Sequence, residues 1–117
     1  LTLSRAAGMR EVDQATLTLL AERYVVFTAV RQGYIDALTA QRRVEILGEL
    51  VTLAERSYEA TEKLFTAKQV ARLDVLQLQA ERDRLRADHA AAWREYEAAF
   101  RRLVATAGVP ELPVTAV

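Results

Sequence analysis

Apolar residues recur along this chain at intervals of three and four, and one short polar stretch interrupts them. The rhythm starts at Met9 and runs through Val12, Leu17, Leu20, Tyr24, Phe27, Val30, Tyr34 and Leu38. Beyond Gln41 it continues with Val44, Leu47, Val51, Ala54, Tyr58 and then Leu64 or Phe65. Such steps keep one stripe on one face of a helix. A second run holds Leu73, Leu76, Leu78, Leu85, Trp93, Tyr96, Phe100, Leu103 and Val104, with alanines at 87, 90, 91, 92, 98 and 99. The pattern predicts an all-α fold: a long antiparallel helical hairpin, coiled-coil-like. Its first helix covers about 10–66, its tip 66–72 and its second helix about 72–107.

The ends of the helices are marked unequally. Gly108 and Pro110 close the second arm, and the tail over 108–117 reads as extended. At the other end Thr2 or Ser4 could cap a helix, but Gly8 argues for a later start. Gly33 and Gly48 interrupt the first stripe, each costing about 1 kcal/mol against alanine. They mark either close approach to another helix or tolerated glycines.

The arms are also unequal in length. A first helix over 10–65 would be roughly 80 Å long at 1.5 Å per residue, more than the second arm can cover. Leu17, Leu20, Tyr24 and Phe27 are left without an intrachain partner. A second copy of the chain is the expected cover, giving a homodimer in the form of a four-helix bundle.

Composition narrows the function classes. The 117 residues are 51% hydrophobic and 27% charged, with only four glycines and two prolines, which suits long helices and not a sheet. Sixteen basic residues balance sixteen acidic ones, so there is no basic surplus for nucleic acid. The charges interleave, as at Glu59/Lys63 and Glu97/Arg101, spaced i,i+4 with the acid first. There is no cysteine, and no apolar run long enough to span a membrane as a helix. The start, LTLSRAAGMREVDQ, lacks the charged-then-apolar order of a signal peptide. A chain that begins without Met is expected to be a segment of a longer protein.

Nothing in the pattern points to catalysis. His89 is the single histidine, and a metal site needs several converging ligands. Trp93, Tyr96 and Phe100 share helical spacing, which is the mark of a core or interface. No phosphate-binding glycine loop, nucleophile set or zinc-binding helix pair occurs, and the carboxylates are dispersed among bases. The expectation is a protein that is not an enzyme and has no cofactor, no metal and no catalytic residue.

The tip carries a resemblance. Residues 65–80, FTAKQVARLDVLQLQA, resemble the turn of the outer membrane efflux protein family, the TolC-like channel-tunnels. In that family a long helix ends in a tight turn of the form A-G-x-x-S, and L-D-V-L-x-A opens the returning helix. Tyr34-x-x-Ala37-Leu38-x-Ala40-Gln41 upstream and Leu103-x-x-x-x-Gly108 downstream are similar to the family's arms. The likeness covers about residues 20–113. Three positions depart from the pattern: Lys68 stands at the turn glycine, Ala71 at the serine and Leu78 at an alanine.

The resemblance implies a periplasmic α-helical tunnel segment of an outer membrane efflux channel, a passive conduit in a tripartite export system. It implies a homotrimer for the full-length protein, held in the outer membrane by β-barrel strands that this segment does not include. The implied partners are a periplasmic adaptor protein and an inner-membrane pump. Lys68, Gln69, Val70, Ala71 and Arg72 would form the adaptor-contacting tip, with a solvated loop as the plain alternative. Asp74 and Gln77 would lie at the tunnel entrance and take part in gating. Asp74 is equally well placed as a first-turn acid on the helix dipole. Two rival readings are the coiled-coil hairpin of a periplasmic adaptor and a generic structural coiled coil. The second of these predicts a uniform heptad, which the irregular large apolar residues do not display.

Overall fold

The computed structural model describes residues 2–108, and the expected extended tail over 109–117 lies outside the described residues. Two helices account for almost all of it, α1 over Thr2–Thr66 and α2 over Arg72–Ala107. They form an all-α antiparallel hairpin of 100 × 23 × 14 Å. At 1.5 Å per residue the 65 residues of α1 alone account for the long dimension.

α1 therefore starts well before the expected position near residue 10. Gly8 does not stop it, because a lone glycine costs about 1 kcal/mol and its neighbours Ala6, Ala7, Met9 and Arg10 all favour helix. Nothing lies within 4 Å of a Cβ built on Gly8, so no packing reason holds it there.

The two helices meet along a seam that is regular. On α1 a run of residues withdrawn from solvent comprises Val30, Gly33, Ala37, Ala40, Val44, Leu47, Val51, Ala54, Tyr58, Thr61 and Phe65, with Gln41, Gly48, Glu55 and Ser57 half-buried beside it. Along that run the steps alternate three and four. On α2 the same alternation gives Val75, Leu78, Arg82, Leu85, His89, Ala92, Tyr96, Ala99 and Leu103, and the buried Phe100 widens it beside Ala99. A strict 3.5-residue period keeps one face of each helix on the other as they supercoil. The expected irregular stripe thus contains a heptad-spaced line of contacts. It escaped the pattern of large apolar residues because many seam positions hold alanine, glycine, threonine, arginine or histidine.

Packing is densest far from the tip. Tyr96 is 1% exposed and inserts among Ala37, Ala40 and Ala99, with Val44 and Leu103 at the edges. A buried aromatic of this size contributes about 4–6 kcal/mol by area before entropy is counted. The alanines opposite are what leave it room. Trp93, Tyr96 and Phe100 form a ring ladder with centroids 5.4 and 6.3 Å apart, of which Trp93 stays half exposed.

Gly33 lies on this seam and Gly48 beside it. A Cβ on Gly33 would sit 3.4 Å from Leu103 Cδ1, and one on Gly48 would sit 3.4 Å from His89 Nε2. At Gly33 the backbone of α2 comes near, with Leu103 Cα 3.6 Å from the Cβ position, whereas Gly48 meets only the ring of His89, the lone histidine.

Candidate functional site

The reversal is built from backbone hydrogen bonds. At the end of α1 the Lys68 N–H donates to Phe65 O at 2.9 Å, and the Gln69 N–H donates to Leu64 O at 2.8 Å. These paired bonds form a Schellman motif, which requires its penultimate residue in the left-handed region. That residue is Lys68, with φ of 60°, the one described non-glycine residue at positive φ. A β-carbon there costs about 1–2 kcal/mol. The position is the one where the resemblance places glycine.

The start of α2 is held by one side chain. Asp74 Oδ2 accepts from the Ala71 N–H at 3.2 Å, while the Asp74 N–H donates to Ala71 O at 3.1 Å. Alanine has no oxygen with which to return the side-chain half of a capping box. The Asp74 carboxylate also lies in the first turn, on the positive end of the helix dipole.

Lys68, Gln69, Ala71 and Arg72 are exposed at the tip, and Val70 tucks half-buried beneath them. Asp74 and Gln77 are both exposed on α2, one turn apart. The structure thus gathers the seven sequence-derived site residues at one end of the rod. Four belong to the turn, and Arg72, Asp74 and Gln77 to the first turns of α2. Their chemistry is that of a polar contact surface: two cations, one anion and two amides around a short apolar plug.

Just behind the tip the seam becomes polar. Arg82 stacks over the Tyr58 ring with its guanidinium carbon 4.3 Å from the centroid, and its Nη2 meets Asp83 at 3.1 Å. Arg82 is mostly withdrawn from solvent, so the cation–π contact contributes about 1–2 kcal/mol. Among the described residues one ion pair clamps the arms together, Arg86 Nη2 to Glu55 Oε1 at 2.7 Å. Arg84 pairs with Glu81 at 2.7 Å, and that hydrogen bond and charge push its guanidinium further up. The sequence reading missed Arg82 and Tyr58 as partners. The signal that would have found them is the heptad register, which puts both on the seam.

Elsewhere α1 exposes large apolar side chains among its charged ones. Ile46, Leu50, Leu53 and Leu64 are exposed on its outer side, as are Tyr34, Ile35 and Leu38. An open hollow runs past Leu38, Arg42 and Ile46, and another past Leu19, Arg23, Val26 and Phe27. Among the described residues there is no group of three or more metal-ligating side chains. No helix among them is long and apolar enough to cross a membrane.

No protein family, no curated protein and no solved structure matches this chain.

Proposed function

We propose that this chain is a wall element of an export conduit, the periplasmic helical hairpin of an outer membrane efflux channel of the TolC-like kind. The observation that carries the reading is Lys68. The residue resembling the family's turn glycine is the residue held at φ 60°, so the motif alignment and the backbone geometry coincide. The shape is what such a wall requires. A rod of 100 Å presents a seam to its own second arm and a further apolar face on α1 for neighbours. The conduit is passive and uses no catalytic group or cofactor. The tip, Lys68 to Arg72, meets a periplasmic adaptor that leads to an inner-membrane pump, and Asp74 and Gln77 face the entrance. In this reading the hairpin lies in the periplasm, as part of a trimer anchored in the outer membrane by strands outside this segment.

A second reading is favoured by the heptad-spaced line on both arms, which is what the coiled-coil hairpin of an adaptor, or a plain structural coiled coil, would carry. The unequal arms weigh against it. A self-sufficient hairpin pairs its seam over both arms, whereas here residues 2–29 have no partner.

The test places a photo-cross-linking residue at Gln69 in cells producing the full-length protein, and deletes the coding region in parallel. The conduit reading expects a periplasmic adaptor trapped at Gln69 and a rise in retained efflux dye on deletion. Unchanged dye efflux with no adaptor at position 69 would sink it.

A further inference from the structure

We propose that the unpaired half of α1 is a self-association surface whose occupant is a second copy of this chain, joined antiparallel so that two hairpins make one longer rod. This does not rest on the conduit reading. The seam shared with α2 does not stop where α2 stops. From Val30 the alternation of four and three runs back in unbroken phase through Val26, Arg23, Leu19, Thr16, Val12 and Met9. The buried interface is therefore continuous with an exposed one on the same face. Val26 is 55%, Leu19 48% and Val12 65% exposed, and an open hollow lies between Leu19 and Val26. Leu20, Phe27 and Asp13 flank the strip on one side, and Gly8, Ala15, Ala29 and Glu22 flank it on the other. That gives the apolar width a helix partner needs.

The fold decides the direction. Leu103 packs at Gly33, so α2 occupies the seam face from about residue 30 to the tip. A copy running parallel would drive its own α1 into that space. It would also set Arg5 against Arg5 and Arg23 against Arg23 across the seam, at a Coulombic cost. An antiparallel copy runs away from α2 and meets neither obstacle. With Leu19 opposite Thr16, Arg23 falls opposite Val12 and beside Asp13, and Met9 falls opposite Val26. The same pairing sets Arg5 opposite Val30, where α2 ends, so the contact stops at residue 5. The contact is isologous and closes at two copies.

The test is analytical ultracentrifugation of the 117-residue chain together with small-angle scattering. The expected particle has twice the chain mass and a length of about 160 Å, from two rods of 100 Å overlapping over residues 5–30 by about 40 Å. Leu19→Glu and Val26→Glu are expected to weaken association at least tenfold, while Leu53→Glu on the outer side of the paired half leaves it unchanged. Circular dichroism confirms that each variant keeps its hairpin. A monomer at high concentration overturns the proposal. So does a side-by-side particle about 100 Å long, the four-helix bundle expected from the apolar pattern alone, and so does loss of association with Leu53→Glu only.

Discussion

The two halves of α1 carry similar loads of large apolar side chains, yet only one half buries anything. Residues 2–29 hold Met9, Val12, Leu17, Leu19, Leu20, Tyr24 and Phe27, all about half exposed or more. Residues 30–66 bury Ala37, Ala40 and Ala54, while Ile46, Leu50, Leu53 and Leu64 remain exposed in the same stretch. Hydrophobicity therefore does not decide burial here. Position on the seam and the presence of a facing helix do. The smallest side chains lie innermost because the helix axes approach closely where Tyr96 reaches across.

The contrast is sharpest at its aromatic residues. Tyr96→Ala is expected to destabilise the hairpin by about 3–5 kcal/mol, since it empties the best-packed site. Tyr24→Ala, in the unpaired half, is expected to change the stability of an isolated monomer by no more than about 0.5 kcal/mol. Paired urea titrations measure both, and equal effects would erase the distinction between the halves.

A smaller effect tests the small seam residues. Ala37 is fully buried, and Ala37→Leu adds volume where Tyr96 already fills the space. It should cost about 1–3 kcal/mol. Ala21→Leu, on the exposed half, should be near neutral in the same thermal melt.

The tip offers changes in the opposite direction. Lys68→Gly removes the β-carbon penalty at φ 60°, less the backbone entropy that glycine loses on folding, for a net gain of up to about 1 kcal/mol. Ala71→Ser adds the missing cap oxygen and should gain about 0.5–1 kcal/mol. Denaturation midpoints report each, and a loss of stability on Lys68→Gly would contradict the Schellman turn.

The smallest expected effect is at the inter-arm ion pair. Glu55 and Arg86 are both substantially exposed. A double-mutant cycle on them should give about 0.5 kcal/mol or less, shrinking as salt is raised.

Much of this fold was legible in the sequence. Two runs of three- and four-residue spacing, separated at residues 66–72, specify two antiparallel helices, and Gly108 ends the second at φ 73°. The seam was less legible. Large residues such as Tyr34 and Leu38 drew the stripe one position aside from Gly33 and Ala37, which are the residues that pack. Arg82 and His89 look like surface residues by type, and only the register brings them inward. At the tip, residues 68–77 lie together because a reversal brings them to one end. The capping contact from Asp74 to Ala71 follows from its place three residues into α2. Lys68 in the left-handed region was readable only by setting it beside a turn that ordinarily carries glycine.

One distance tests the hairpin most directly. Spin labels at Gln32 and Arg101, both exposed near the open end of the paired half, can be measured in chains diluted with unlabelled protein. The antiparallel arms predict a separation set by adjacent helix axes, about 10 Å plus the label arms. A single uninterrupted rod would put the two sites about 100 Å apart, and that result would contradict the reversal at Lys68.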